Sequence, residues 1–306
     1  MVSAIARQPY RALLTDYEAA LVWMQGIGVH LGEGRTQHYR KILEYWSRNY
    51  EDASIEEGQK IFSDFVGSIY EMGAFVEIYH SLKCVNKNDL SQVVRKLNKA
   101  VNGPVYSGEE SPQSTTARNL LFEVIVTSKC HKPESGLVAN VLSDTDSGFS
   151  FLQKKLWIEC KRITSLRKLE SNVRKARNQI NTSLREKIGS DHRGIVALDI
   201  SKLINPNDEL FVSQNEPALL TSTDRLMNQF IESNFQVWEK VYKEKSRKIL
   251  GTILRFSFMA TSEKDNLLIT ITQWAVNPRE GLSPFEVKFM EEFVYCINPQ
   301  ERFLRT

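Results

Sequence analysis

The 306-residue chain has little that would mark a secreted, membrane-bound or disulfide-stapled protein. Its longest apolar runs, such as Leu120-Leu121-Phe122, are soon cut by a polar or charged residue, and none approaches the ~20 apolar residues that span a bilayer. No membrane association is expected. The opening MVSAIARQPYRALLTDYEAA holds no basic stretch followed by a long apolar one and a cleavage site, so no secretory signal is expected either, and the expected compartment is the cytoplasm. Cysteine is scarce: Cys84, Cys130, Cys160 and Cys296 stand singly, which argues against a disulfide framework or a CxxC zinc knuckle. His80 and Cys84 are four apart and His131 follows Cys130, but no second pair has ligand spacing, so these read as a buried thiol near a surface imidazole. A GxxxxGK[ST] loop, a GxSxG elbow and an HExxH helix are all missing, which removes nucleotide hydrolysis by the chain alone, serine-hydrolase chemistry and zincin chemistry.

What remains is an ordinary globular composition, 42% hydrophobic and 25% charged, long enough for one large domain or two small ones. Residues 1 to about 100 read as helical. Apolar residues recur at helical spacing over Ala19–His30, Tyr39–Tyr50 follows, and Ser54-Ile55-Glu56-Glu57 is a capping-box pattern opening a helix that runs to Leu82. Another helix is predicted over Asn88–Val101. The segment Asn102–Thr116, rich in Pro, Gly and Ser, is the best linker candidate. Beyond it, Ala117–Thr127 reads as either a helix or a buried strand, and Phe149–Ile163 as a hairpin around Gln153-Lys154. Thr164–Ile188 is the clearest helix, with one apolar stripe (Leu166, Leu169, Val173, Ala176, Ile180, Leu184, Ile188), a cap at Thr164 or Ser165, and Gly189 at its end. Gly194–Ile200 is a buried strand, which suggests a βαβ crossover. A helix over Ser222–Lys248, strands over Ile249–Met259 and Leu267–Trp274, and a helix over Ser283–Cys296 complete the reading. The fold class is α/β: a mixed sheet flanked by helices over residues 106–306, with an all-helical part over 1–105.

The net charge is only +3, but it is unevenly spread. Between Cys160 and Arg193 ten Lys or Arg face three acids, so this segment is +7 and the rest of the chain −4. Such a cluster is either the footprint of a polyanion or the solvated face of a helix.

The chemistry concentrates in Leu156-Trp157-Ile158-Glu159-Cys160-Lys161-Arg162. On a strand Glu159 and Lys161 share one face. They can form an ion pair at a sheet edge, or a carboxylate that binds a divalent cation beside an amine that orients a water, which is the pair phosphodiester hydrolysis requires. Upstream lies Ser143-Asp144-Thr145-Asp146. A hairpin brings Asp146 towards Glu159, and two converging carboxylates suit Mg²⁺. Asp146 is preferred to Asp144 because Phe149 and Phe151 continue the strand from it; a polar turn is the competing reading. Glu123 lies in the apolar run Asn119–Val126, where an ionised carboxylate needs a partner: a metal-bound water, a cation or a lysine, or else a surface salt bridge to Arg118 or Lys129. On the basic helix Lys175 and Gln179 are four apart and can look towards the Glu159 edge, while Arg162, Lys168, Arg174 and Arg177 can meet phosphates. Asp199, ending GIVALDI, reads as a strand-end cap before a further acid of the cleft.

Glu123 in ARNLLFE, an Asp before a hairpin, IECKR and the ARNQI helix, in that order, resemble the PD-(D/E)-x-K nuclease superfamily over about residues 115–200. The resemblance implies a restriction-endonuclease-like fold with Glu123 on its first core helix. It implies that Asp146 and Glu159 bind Mg²⁺, with Mn²⁺ able to substitute and Glu123 in support, and that Lys161 assists the nucleophilic water. Gln179 matches the supporting polar residue of the second core helix. The sequence departs from the motif in having Thr145 where a proline precedes the Asp. The expected activity is Mg²⁺-dependent hydrolysis of a phosphodiester, DNA before RNA, leaving a 5′-phosphate, with defence against foreign DNA as an analogy of fold. The competing expectation is a nucleic-acid-binding or adaptor module that keeps the fold without turnover. The helical part is expected to recognise substrate, form a homodimer, or dock a helicase or ATPase partner.

Overall fold

The computed structural model describes residues 2–6, 10–49, 52–111, 114–140, 145–243, 247–264 and 268–297. The chain divides into two compact units: Arg7–Ser128 is one, and Met1–Ala6 joins Lys129–Thr306 to make the other. This differs from the expected boundary near residue 105 in two ways. The Asn102–Thr116 segment belongs to the helical unit, and the first strand belongs to the α/β unit. Among the described residues no helix is long and apolar enough to cross a membrane.

The helical unit is built from α1 (Tyr10–Ile27), α2 (Arg35–Asn49), α3 (Ile55–Leu82), α4 (Ser91–Ala100) and α5 (Thr116–Lys129). The capping box at Ser54 is present: its side chain accepts from the Glu57 amide while the Glu57 carboxylate accepts from the Ser54 amide. The run left open between helix and strand is α5. Its apolar residues cover more than one face, which is why a 3.6 period was weak there. The core, with Tyr17, Met24, Tyr39, Leu43, Met72, Phe75 and Leu97 all buried, also encloses charge. Glu71 lies between Arg35 (3.3 Å) and Arg118 (2.8 Å), and Arg118 also donates to the Val105 carbonyl at 2.8 Å. A buried charge needs such satisfaction to be tolerated.

The α/β unit carries one mixed sheet. Its strands are β1 (Val2–Ala6), β2 (Val138–Ala139), β3 (Ser147–Phe151), β4 (Lys154–Arg162), β5 (His192–Asp199), β6 (Phe211–Ser213), β7 (Ile249–Ser262) and β8 (Leu268–Pro278), in spatial order β1-β8-β7-β5-β4-β3-β2 with β6 beside β7. The centre, β4-β5-β7, is parallel; the pairs outside it on either side are antiparallel. β5 lines β7 up to Arg255, and β6 lines the same strand from Ala260. The connecting helices are α6 (Leu169–Arg185), α7 (Ser201–Ile204), α8 (Glu216–Ser233), α9 (Phe235–Tyr242) and, last, α10 (Pro284–Ile297). The single helix expected over 222–248 is thus two helices, broken at Asn234.

The βαβ crossover is β4-α6-β5. Val173, Ala176, Ile180 and Leu184 of α6 pack with Trp157, Val196 and Leu198 of the sheet. Gly194 lets the helix sit close: a Cβ there would lie 2.2 Å from Ile180 Cγ2. The stripe is shorter than predicted. Leu166 (57% exposed) lies in a 3-10 turn before the helix, Ile188 (96% exposed) lies beyond it, and no side chain caps the start. On the other face Phe149 and Phe151 of β3 pack against Phe293 and Phe289 of α10. With both faces covered, a one-residue slip of the hairpin would move every side chain to the wrong side.

Candidate metal and catalytic centre

The β3–β4 hairpin sets the geometry. Phe151 pairs with Lys154, so the turn is Leu152-Gln153, one residue earlier than predicted, and both turn residues have positive φ (45° and 61°). That is the mirror-image two-residue turn whose twist suits a hairpin, here without the usual Asn or Gly. The register runs to Ser147 opposite Ile158. One step further sets Asp146 opposite Glu159. The Cys160 amide donates to Asp146 Oδ2 at 2.8 Å, which fixes the carboxylate against β4. On the other side of Asp146 the buried Thr145 hydroxyl donates to the Ser147 carbonyl at 2.8 Å, closing the backbone around it.

Glu159 pairs with Val196 and Lys161 with Leu198, both within the core under α6, so the acid and the amine stand on the face that α6 covers. Glu159 is buried, 4% exposed. Lys161 and Asp146 are nearer the rim, with about a fifth of each side chain accessible. Lys161 Nζ lies 3.6 Å from Glu159 Oε2 and 3.7 Å from Asp146 Oδ2. The two carboxylate oxygens are therefore no farther apart than the sum of these distances. Two carboxylates thus face one ammonium in a sheltered place. Hard oxygen donors suit Mg²⁺, which binds through one or two carboxylates and keeps water in the rest of its shell. Among the described residues no group of three or more His, Cys, Asp or Glu side chains is gathered for a metal; Asp146 and Glu159 are a pair of carboxylates.

The remaining predicted residues are placed differently. Glu123 lies on α5 in the helical unit, where its carboxylate is 2.9 Å from Lys96 Nζ. An ammonium of its own unit is thus one partner of this carboxylate. Sequence reading missed Lys96 because the pair joins α4 to α5 over a long separation. Arg118 serves the buried pair with Glu71 instead. Arg177 was expected to meet phosphates, yet it is 3% exposed. Its guanidinium donates to the Val241 carbonyl and to Asn178 Oδ1, so it ties α6 to α9. Arg162 stands opposite Asp199 on the other face of β4 from Lys161, and its charge helps hold that carboxyl low. Asp199 is the cap it was read as: it accepts from the Ser201 amide at 2.9 Å and from Arg255 at 2.8 Å. Asp144 lies outside the described residues.

Lys168 and Lys175 are exposed, and Arg174 is half-buried and bound to Glu170. Lys175 and Gln179 line a shallow, open concavity of about 650 Å³ on the outward side of α6 with Arg167, Arg174 and Asn178. The structure thus brings Asp146, Glu159 and Lys161 together, and places Lys175 and Gln179 on a polar, basic flank of α6. Of the weak zinc signals, Cys84 is exposed rather than buried, and His80 faces Asp16 at 3.4 Å.

Compared with protein-family models, curated proteins and solved structures, the chain gives no match.

Proposed function

We propose that this chain is a Mg²⁺-dependent nuclease with a restriction-endonuclease-like sheet, acting on DNA before RNA. The observation that carries the reading is Lys161 Nζ within 3.7 Å of both Asp146 and Glu159, across two strands and on one face. The parallel β4-α6-β5 crossover beside the β3–β4 hairpin supports the reading.

In this reading Asp146 and Glu159 hold the cation, which when bound lowers the pKa of a coordinated water and offsets charge on the scissile phosphate. The chain's own residues do the rest. The Cys160 amide and the Thr145 loop hold Asp146 in place before any ligand arrives, so little reorganisation accompanies reaction. Lys161 sets a fixed positive charge beside the attacking oxygen and orients it by hydrogen bonding. Buried Glu159 excludes bulk water from the inner side of the centre. The phosphate backbone is met by Lys168 and Lys175 on the flank of α6.

The test is cleavage of plasmid, linear and single-stranded substrates with Mg²⁺ or EDTA by the wild type and by Glu159→Gln, beside a binding titration in Ca²⁺. The expected result is Mg²⁺-dependent cleavage that the near-isosteric amide abolishes with binding largely kept, because a neutral amide is a poor Mg²⁺ ligand. Robust cleavage by Glu159→Gln would sink the assignment. Binding without cleavage by the wild type on every substrate would instead favour the non-catalytic module.

A further inference from the structure

Much of the positive charge between Cys160 and Arg193 is already engaged. Arg177 is internal, Arg174 is bound to Glu170, Arg193 lies 3.3 Å from Glu286, and Lys161 belongs to the candidate centre. A second basic stretch lies in the helical unit, for which substrate recognition, dimerisation and partner docking are the expected roles. Residues 83–99 hold five Lys or Arg and one acid, Asp89. Of the five, Lys96 is taken by Glu123.

Lys87, Arg95 and Lys99 are exposed, and among the described residues they take part in no ion pair. Lys87 opens the short 3-10 turn that leads into α4, and Arg95 and Lys99 are four apart on that helix, in line with exposed Ser91. The opposite side of the helix is apolar: Leu90, Val93, Leu97 and Ala100 are buried. Lys96 and Asn98, on its flanks, pair with Glu123 and with the backbone at Gly28 and His30. At 1.5 Å per residue the row from Lys87 to Lys99 is on the order of 18 Å long. That matches roughly five phosphates of one duplex strand at ~3.4 Å each along the axis. Asp89, also exposed, is too little to cancel the row.

We propose that the outward face of α4 is a second nucleic-acid contact surface, where Lys87, Arg95 and Lys99 hold the phosphodiester backbone. Of the roles open to the helical unit this selects substrate recognition. The proposal rests on the nuclease reading only for its choice of occupant. It needs no metal and no turnover.

The experiment measures binding of the full chain to a labelled duplex in Ca²⁺, by anisotropy across a salt series. The variants are Lys87→Gln/Arg95→Gln/Lys99→Gln and the corresponding Glu triple, each checked for an unchanged melting temperature. Each phosphate contact contributes about 0.9 to the slope of log K against log salt, so the Gln triple is expected to lose between two and three of slope and at least about tenfold in affinity at low salt. The Glu triple is expected to lose more. Wild-type affinity and slope in both variants overturn the proposal and leave the face to an acidic protein partner, and so does a wild type that binds no nucleic acid. A chain that binds through α4 yet never cleaves keeps this surface and removes the nuclease reading. A chain that cleaves while both triples bind like wild type does the reverse.

Discussion

Cys160 and Asp146 are joined by a backbone-to-side-chain hydrogen bond, amide to Oδ2, at 2.8 Å. The residue between the acid and the amine of the strand thereby contributes its main chain while its thiol lies on the opposite face, buried. Asp146 owes its position to this bond and to the loop that precedes β3, so the loop should matter as much as the ligands.

Thr145 is the first test. Thr145→Val keeps the shape but leaves the Ser147 carbonyl without that donor, at a cost of about 1–3 kcal/mol. We expect a modest fall in melting temperature and, measured separately by Tb³⁺ luminescence, at least about tenfold weaker metal binding, since 1.4 kcal/mol is tenfold. Thr145→Ser should restore both. Equal metal affinity in the Val and Ser variants would show that Thr145 only fills space.

Lys161→Ala removes the ammonium that two carboxylates face. The metal-free protein should lose about 1–3 kcal/mol, less than for a fully enclosed pair because Lys161 is partly accessible. Mg²⁺ should recover most of it by binding the folded state alone. Thermal melts with Mg²⁺ and with EDTA read this directly; a variant as stable as wild type without metal would mean that the amine compensates nothing.

Arg177→Ala should behave as a core mutation. It leaves the Val241 carbonyl and the space between α6 and α9 unfilled, so a loss on the order of 2–4 kcal/mol is expected in urea unfolding. Arg167→Ala, on the outward flank, should stay within about 0.5 kcal/mol. The opposite ranking would return Arg177 to the surface.

Acid stability should depend on Asp199. Burial alone would raise its pKa, but the Arg255 and Arg162 guanidiniums and the Ser201 amide outweigh it and hold the carboxyl below its ordinary value. A depressed folded-state pKa contributes stability above the unfolded value of about 3.9 and loses it as pH falls through the lower, folded value. Urea melts at a series of pH values should show Asp199→Asn less stable than wild type at neutral pH, with the gap closing below about pH 4. A gap that widens in acid would contradict the assignment.

The centre was legible because its information is local. Parity along β4 put Glu159 and Lys161 on one face, and two aromatic residues at alternate positions fixed β3 in line with Asp146. The α6 stripe was equally plain, though its ends were not: Leu166 and Ile188 continue the period after the backbone has left the helix. Partners chosen by tertiary packing left no such trace. Lys96 meets Glu123 and Val241 meets Arg177 only once separate helices are in place, and a lysine or arginine bound for the interior looks in sequence like one bound for water. The turn at Leu152-Gln153 was displaced by one residue for a related reason, because positive φ was accepted without the residues that advertise it.

Ala4 pairs with Thr272 at the edge of the sheet. On a ribosome the first strand is thus made long before its template exists, and it must wait through the whole helical unit and the parallel centre for β8. Until then β8's future partner is loose chain, and afterwards β8 is open to any other strand that arrives first.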